Sequence, residues 1–333
     1  MPTVLLVPDC GPAIGSGHLD RSLALAEELS EISVTIALPQ DPQVQARAHG
    51  RRVTSFAGSA DLAERVMDAA AQTHPDVIVL DGYMFPVALE SAMREHSRVV
   101  VIDDLNGPCD VDLLVNPAPG AEAIAVPKGA REVLAGPRYA LMARAYEGAR
   151  KARERKPLEG LPRLLAVSGG ADIGGLIAYL VAALMPLLDR AYLDAVVGPH
   201  GTALTAVDGV TIHDAPECLD NLLGAAGVYV GAAGTTAVQA AAVGVAQVIL
   251  PLVDNQVAQA AALEHAGAAI AIERRDADLA KVATKMADAT ALILGDAARM
   301  REMGMNGARL VDGLGAARVA EAVRRLATLG AVA

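Results

Sequence analysis

The feature that most constrains this chain is the glycine-rich turn at residues 11–18, Gly-Pro-Ala-Ile-Gly-Ser-Gly-His. The apolar run before it, residues 4–7, predicts a strand, and residues 19–29 after it carry leucines and alanines at helical spacing. Glycines such as Gly15 and Gly17 let the backbone turn sharply and let a ligand approach it closely. The unpaired N–H groups and the positive dipole end of the following helix favour an anion, so this turn is a candidate phosphate site.

His18 lies at the mouth of this turn and is the only side chain there that exchanges a proton near neutral pH. The turn has neither the G-x-G-x-x-G spacing of dinucleotide-binding folds nor the Lys-Ser/Thr pair of a P-loop. Glycine-rich turns after a first strand also serve as plain connections in α/β proteins. The turn alone therefore leaves a ligand site and a structural connection both open.

Length and composition limit the classes of protein that this chain can represent. A chain of 333 residues, 53% of them hydrophobic, predicts two domains with a core each. The formal net charge of −11 argues against nucleic acid as a partner, but backbone amides can still bind an anionic small ligand. The three cysteines are far apart, so neither a disulfide framework nor a metal site is expected, and no motif predicts a cofactor.

The N-terminus lacks the features of a signal peptide, and the longest apolar run, residues 176–188, is too short to span a bilayer. We therefore expect a cytoplasmic protein with no membrane span.

Apolar runs and helical patterns alternate along the first half of the chain, which predicts a doubly wound parallel sheet. Four polar side chains fall at or just after the ends of predicted strands: Asp81, Tyr83, Asp103 and Asp104. Each acid by itself is typical of a helix cap or a loop hydrogen bond. Because the carboxyl ends of parallel strands share one edge of the sheet, their grouping with His18 there predicts a ligand crevice.

Residues 146–162 are charged and end with prolines, which predicts a solvated helix end and a linker. The α/β pattern then restarts, and three predicted strand-to-helix turns carry glycine, hydroxyl and amide side chains. These turns contain Ser168 and Gly169, then Gly234, Thr235 and Thr236, then Asn255 and Gln256. Each can direct backbone N–H groups at a diphosphate, so together they predict a nucleotide site in the second domain.

Taken in order, these motifs resemble a known family, the nucleotide-sugar hydrolase of pseudaminic acid biosynthesis. The resemblance covers about residues 4–325 and rests on nine motifs, among them Gly15-x-Gly-His18, Asp81-x-Tyr83, Ile102-Asp-Asp104, Val167-Ser-Gly-Gly-Ala-Asp172, Gly231-Ala-Ala-Gly-Thr-Thr236 and Asp254-Asn-Gln256. That enzyme releases UDP from a UDP-linked deoxy-amino-sugar and is similar to MurG-type glycosyltransferases. The resemblance implies their GT-B architecture, two Rossmann-like domains that face across a cleft.

The resemblance also implies domain bounds and residue roles. The domains would be 1–145 and 163–314, joined by the linker 146–162, with a last helix in 315–333 that returns to the first domain. His18 would activate water at the anomeric carbon, and Tyr83 would position the sugar or that water. The diphosphate would lie on Gly234, Thr235 and Thr236, and Asn255 and Gln256 would contact phosphate or sugar.

Two positions depart from the family. Gly82 stands where the family has histidine, and Gln239 stands where it has a glutamate that accepts hydrogen bonds from the ribose hydroxyls. A neutral amide accepts without charge assistance, so the identity of the nucleotide stays open.

Three functions remain. The first is hydrolysis of a nucleotide-activated sugar, and the alternative is a glycosyltransferase in which a hydroxyl acceptor replaces water. The third is a nucleotide-sugar binder without activity. The sequence names neither the sugar, the nucleobase nor the oligomeric state.

Overall fold

The structure is a computed structural model, and it describes residues 2–10, 17–56, 62–83, 85–105, 107–155, 159–273 and 278–329. The described chain divides into two compact units. The first unit runs up to Ala143 and takes up the chain again from Leu314, and the second unit is Arg144–Gly313.

The first unit contains a parallel sheet of seven strands in the order β3-β2-β1-β4-β5-β6-β7. Its strands are β1 (Thr3–Pro8), β2 (Ser33–Pro39), β3 (Arg52–Phe56), β4 (Val77–Asp81), β5 (Arg98–Ile102), β6 (Val111–Asn116) and β7 (Ala130–Ala135). Its helices are α1 (Gly17–Glu28), α2 (Pro42–Arg47), α3 (Leu62–Thr73), α4 (Val87–Arg94) and, from the end of the chain, α12 (Gly315–Thr328). The strand order reverses direction between β1 and β4, which makes the carboxyl ends of these two strands the switch point of the sheet.

The second unit contains a parallel sheet of six strands in the order β10-β9-β8-β11-β12-β13. Its strands are β8 (Arg163–Val167), β9 (Tyr192–Val197), β10 (Val210–Asp214), β11 (Val228–Ala232), β12 (Ala246–Leu250) and β13 (Ala269–Ala271). Its helices are α5 (Arg144–Arg155), α6 (Leu176–Leu184), α7 (Asp220–Ala225), α8 (Thr235–Val243), α9 (Asn255–His265), α10 (Leu279–Leu294) and α11 (Ala297–Leu310). The switch point of this sheet lies between β8 and β11.

The central strands are continuous apolar runs because helices cover both faces of each sheet. In the first unit, Leu6 and Val79 face one core cluster, and Leu5 and Ile78 face another on the opposite side of the sheet. Helix α12 contributes Val319 to the first of these clusters. The hydrophobic packing of the first unit therefore depends on residues from both ends of the chain.

Residues 146–162 were predicted to be a solvated helix end and a linker, and the structure places most of a complete helix there. Residues 144–155 form α5, which belongs to the second unit. Its Arg153 donates to the carbonyls of Gly224 and Ala226 at the end of α7, and Arg150 donates to the carbonyl of Asp312 at 3.1 Å. The charged residues of this helix are therefore part of its packing, because their guanidinium groups donate to backbone carbonyls of the second unit.

The apolar run at 176–188 is also interrupted, since α6 ends at Leu184 and a short 3-10 helix follows over Met185–Leu187. Pro186 in that run lacks the N–H that a continued α-helix would need. No helix in the described part of the chain is long and apolar enough to cross a membrane.

Candidate functional site

The switch point of the first sheet brings His18 and Asp81 together. Asp81 is the last residue of β4, and β4 pairs with β1 so that Asp81 lies beside Pro8 at the carboxyl edge. His18 is the second residue of α1, the helix that follows β1. Gly17 begins that helix, whereas Gly15 lies outside the described residues. The predicted grouping of His18 with Asp81 is present in the structure.

A buried hydrogen bond links the two side chains. His18 Nδ1 lies 2.8 Å from Asp81 Oδ1, and Asp81 has no exposed surface. Arg21 Nη2 lies 2.6 Å from the same Nδ1, so this nitrogen faces both a carboxylate that accepts and a guanidinium that donates. The other ring nitrogen, Nε2, makes no hydrogen bond to a residue that the structure describes. In the tautomer in which Nδ1 donates to Asp81, Nε2 carries a lone pair. This arrangement can accept a proton from a substrate hydroxyl.

Arg21 completes this cluster and was not among the residues predicted from the sequence. Its Nε donates to Asp81 Oδ2 at 3.1 Å and its Nη2 donates to Asp81 Oδ1 at 2.5 Å. A sequence signal did exist: Arg21 follows His18 by three residues, which puts both on one face of α1. Position 21 also puts a cation close to the N-terminus of α1, where the helix dipole normally favours acidic side chains.

Tyr83 lies against the imidazole, as expected for a residue of the site. Its ring is 4.9 Å from the His18 ring between centroids, with an angle of 78° between the planes. Tyr83 is 37% exposed, so part of it is open to solvent beside the base. It can therefore pack against a sugar or orient it.

The structure explains why position 82 carries no side chain. A Cβ on Gly82 would lie 2.5 Å from the Cβ of Asp9 and 3.1 Å from Cε2 of Phe85. Asp9 is buried, and burial raises the pKa of its carboxyl, an effect that the positive charge of Arg65 opposes. In this protein Asp9 occupies the space beside Gly82, so the family's histidine would not fit without a shift of the backbone or of Asp9.

The two acids after β5 have different environments. Asp103 accepts from the backbone N–H groups of Leu105 at 2.8 Å and Gly107 at 2.9 Å, which is a loop-stabilising contact. Asp104 Oδ2 lies 3.4 Å from Arg21 Nη1, and its Oδ1 has no partner among the described residues. Asp104 therefore belongs to the His18 cluster through Arg21, and Asp103 shapes the loop beside it.

The switch point of the second sheet carries the residues predicted for a diphosphate. Gly234 is the N-cap of α8. Because glycine has no side chain, it cannot cap the backbone N–H groups of the first helical turn. Gln259 donates to the carbonyls of Ala233 at 2.5 Å and Gly234 at 2.9 Å, which fixes the turn that leads into the helix. Thr235, the first helical residue, is exposed. The N-terminus of α8 thus offers fixed N–H donors to an anion.

Ser168 and Gly169 follow β8 on the other side of this switch point. Ser168 is buried, and its Oγ has no hydrogen-bond partner among the described residues. Gly169 has φ = 94°, and a Cβ on the neighbouring Gly198 would lie 2.4 Å from the Gly169 carbonyl oxygen. Two backbone turns therefore approach each other here in a way that only glycine allows.

The remaining predicted residues lie on or near α8 and α9. Asn255 is the first residue of α9. Gln256 accepts from the backbone N–H of Leu252 at 2.9 Å, so it supports the loop after β12. Gln239 lies inside α8 and is only 7% exposed. In the described residues, no group of three or more histidine, cysteine, aspartate or glutamate side chains is placed to hold a metal ion.

Comparison with known proteins gives matches at the level of structure only. No protein-family model and no curated protein matches the chain. The structure titled "Spinosyn Rhamnosyltransferase SpnG" is 20% identical, with a TM-score of 0.69 over 98% of this chain and 100% of its own. The MurG of Acinetobacter baumannii is 15% identical, with a TM-score of 0.65 over 97% and 99% of the two chains. The glycosyltransferase SnogD from Streptomyces nogalater is 17% identical, with a TM-score of 0.64 over 98% and 99%.

These likenesses show the fold. The parallel sheets of seven and six strands, each with its flanking helices, are the two Rossmann-like domains of the GT-B fold. The fold class predicted from the sequence is confirmed, and the resemblance to the hydrolase remains an expectation.

Proposed function

We propose that this protein is an enzyme, a GT-B glycosyltransferase that moves a sugar from a nucleotide-sugar donor to a hydroxyl group of an acceptor. The observation that carries the proposal is the buried 2.8 Å hydrogen bond between His18 Nδ1 and Asp81 Oδ1, which leaves Nε2 able to act as a base. The titles of the similar solved structures name glycosyltransferases, which favours transfer over the hydrolysis that the sequence motifs suggested.

The chemistry follows from this pair. The acceptor oxygen attacks the anomeric carbon of the sugar while His18 Nε2 takes the hydroxyl proton. The bond between that carbon and the diphosphate oxygen breaks, and the nucleotide diphosphate leaves with the electron pair. Asp81 stabilises the imidazolium that forms, because its carboxylate already accepts from Nδ1. Tyr83 is the side chain beside the base that would hold the sugar or the acceptor.

The second unit would hold the donor. The N-terminus of α8 at Thr235 and Thr236 offers backbone N–H groups and a positive dipole end, which stabilise charge that develops on the leaving diphosphate. Ser168, whose hydroxyl has no partner among the described residues, can donate to the same anion. Gln239, Asn255 and Gln256 would line the nucleotide or the sugar nearby.

Gln239 affects which nucleotide the sugar donor is expected to carry. A glutamate at that position would accept from two ribose hydroxyls, whereas an amide oxygen accepts without charge assistance. One of the similar structures is titled as a complex of SpnG with thymidine diphosphate, a nucleotide that lacks the ribose 2′-hydroxyl. The donor panel should therefore include both UDP- and TDP-sugars.

The test is a product assay with and without acceptor. Purified protein is incubated with UDP-, TDP-, GDP- and CMP-sugars, each alone and with a panel of hydroxyl compounds, and both nucleotide release and glycosylated product are measured. Transfer predicts nucleotide release that depends on the acceptor and matches the amount of glycoside formed. Release at the same rate without acceptor, with free sugar as the product, would instead establish hydrolysis.

A binder without activity predicts a third result. The nucleotide would raise the melting temperature, but neither product would form. That outcome would contradict the proposed enzymatic function.

A further inference from the structure

Asp9 differs from the other buried acids of this protein. It is 8% exposed, and no group among the described residues makes a hydrogen bond or an ion pair with its carboxyl. Every other buried acid in the described part of the chain accepts at least one hydrogen bond: Asp81, Glu90, Asp112, Asp172 and Asp194. Burying a polar group without a partner costs stability, so the unpaired carboxyl of Asp9 points to a partner outside the chain.

The backbone fixes where this carboxyl lies. Asp9 directly follows β1, and its N–H donates to the carbonyl of Asp81 at 2.8 Å, so it stands at the switch point of the first sheet. Its side chain packs against Gly82, where an added Cβ would come within 2.5 Å of Asp9 Cβ. Gly82 therefore leaves the space that the Asp9 side chain occupies, at the same edge of the sheet as His18.

The ionisable groups that face Asp9 do not supply the missing contact. They are His18, Arg65 and Asp81, and none of these three described side chains hydrogen-bonds to its carboxyl. Asp81 already accepts from Arg21 with both of its oxygens. The positive charge of Arg65 opposes the rise in the pKa of Asp9 that burial causes. The carboxyl thus has a positive charge near it but no donor in contact, and a neutral hydroxyl group would fill this gap.

We propose that Asp9 is a specificity-determining residue that accepts a hydrogen bond from a hydroxyl group of the substrate bound beside His18. This rests on the proposed function for the nature of the substrate, because both a nucleotide-sugar and its acceptor carry hydroxyl groups. A hydrogen bond from a hydroxyl to a carboxylate is charge-assisted and about twice as strong as one between neutral groups. A substrate without that hydroxyl would leave the carboxyl buried and unpaired, so the site would reject it.

The first test reads Asp9 in the free protein. Asp9→Asn keeps the size of the side chain and removes its charge, so it should raise the melting temperature at about pH 8 by about 2–4 °C. A carboxyl placed for a ligand lowers the stability of the free protein, whereas one placed for the fold raises it. An unchanged or lower melting temperature in Asp9→Asn would overturn the proposal.

Asp112→Asn is the matched control. Asp112 is 5% exposed in the same unit, but it lies at the amino end of β6, away from His18. It accepts from the backbone N–H of Val99 at 3.0 Å and from Arg131 Nη1 at 2.9 Å. Because its partners are within the chain, Asp112→Asn should lower the melting temperature and leave substrate discrimination as in wild type. Opposite shifts at these two acids separate a ligand-binding carboxyl from a structural one.

The second test identifies the hydroxyl group. Wild type and Asp9→Asn are assayed with the best donor and acceptor, and with analogues in which one hydroxyl at a time is replaced by hydrogen. Loss of the hydroxyl that Asp9 contacts should lower kcat/KM of wild type by about 10–100-fold, but that of Asp9→Asn by less than about 3-fold. Sugar analogues and acceptor analogues form separate arms, so the arm that shows this difference identifies the molecule that Asp9 contacts. Equal losses in both proteins for every analogue would overturn the proposal.

The same comparison can be made by binding, which needs no turnover. Calorimetry is run with the nucleotide-sugar, with the acceptor and with their deoxy analogues. A hydroxyl whose loss weakens binding to wild type but not to Asp9→Asn supports the proposal. If that result holds while wild type forms no glycoside, the proposed function fails and the role of Asp9 stands. If glycoside forms but no analogue distinguishes the two proteins, the role of Asp9 fails and the proposed function stands.

Discussion

At the scale of single residues, the sharpest expectation concerns His18. As the base, His18→Ala should lower turnover by roughly 10²–10⁴-fold, while nucleotide affinity stays close to wild type. The matched control is His213→Ala in the second unit, because His213 Nε2 also contacts a buried carboxylate, Asp194 Oδ1, at 2.8 Å. His213→Ala removes this hydrogen bond, so it should lower the melting temperature but leave turnover close to wild type. Near-wild-type turnover in His18→Ala would remove His18 from the mechanism.

Gly82 gives a prediction about packing. Gly82→Ala should lower the free energy of unfolding by about 1–3 kcal/mol, because the new Cβ would lie 2.5 Å from Asp9 Cβ. Gly148→Ala is the control: nothing lies within 4 Å of its added Cβ, and alanine in the helix α5 should stabilise by about 0.5–1 kcal/mol. Denaturant unfolding of both variants tests this. Equal effects at the two positions would show that the backbone around Gly82 relaxes freely.

Glu90 gives a prediction about pH. Burial, helped by the charge of Asp103, raises the pKa of its carboxyl from 4.5 to about 7, and its Oε2 accepts from the backbone N–H of Asp110 at 2.7 Å. The folded state therefore binds a proton that the unfolded state releases at lower pH. The stability due to Glu90 is full below about pH 4.5 and is lost as the pH rises through about 7.

Glu90→Gln should remove this loss. Between about pH 5 and 8, the free energy of unfolding should fall less in the variant than in wild type, by about 1–3 kcal/mol. Glu95, the exposed residue that follows α4, provides the control. Glu95→Gln should leave the pH dependence of the free energy of unfolding as in wild type. Urea unfolding at several pH values in this range measures the effect. If the free energy of unfolding depends on pH equally in wild type and Glu90→Gln, the raised pKa of Glu90 is contradicted.

At the scale of secondary-structure elements, the N-terminus of α8 is the proposed diphosphate site. Thr235→Glu places a negative charge at its first, exposed residue and should weaken nucleotide diphosphate binding about 10-fold or more. The same charge should leave the melting temperature unchanged or raise it, since acids stabilise a helix start. Ala298→Glu, in the first turn of α11, is the control. Calorimetry showing equal affinities would place the phosphates elsewhere.

The elements that the sequence predicted well are those with a strong local pattern. Strands β4 and β5 are uninterrupted apolar runs because both faces of the sheet are covered. The edge strand β7 was missed, since it is only half-buried and carries Arg131 and Glu132. Helix α5 was predicted only as a solvated helix end before a linker, because its partners, such as the carbonyls that accept from Arg153, are distant in sequence.

The same distinction applies to the candidate site. The grouping of His18 with Asp81 followed from the rule that parallel strands share a carboxyl edge. The roles of Arg21 and Asp9 did not follow, because they depend on which face of α1 meets β4 and on how closely Gly82 approaches the chain after β1. Sequence patterns fix the edge on which residues meet, and packing fixes which atoms touch.

At the scale of the whole molecule, α12 ties the end of the chain to the first unit. Its Val319 and Val323 are fully buried in the core cluster that also holds Leu6 and Leu25. Ending the chain after Gly313 removes several buried side chains, each worth about 1.5–3 kcal/mol. The sum is comparable to the whole stability of a typical domain, so the first unit should unfold.

Hydrogen exchange is the measurement for this truncation. Protection should be lost in β1, β2 and β4 but kept in β8 and β11, which serve as the internal control because the second unit is intact. Retained protection in β1 would show that the first unit is stable without α12.

The route of the chain also bears on its synthesis. A ribosome delivers β1 to β7 first, then the entire second unit, and α12 only after it. The second unit is continuous in sequence and can fold as soon as it has emerged. The first unit must wait, with the apolar surface that α12 covers still open to solvent, until the second unit and α12 have been translated. A chaperone that binds exposed apolar surface would therefore find the most of it on the first unit, before α12 has been translated.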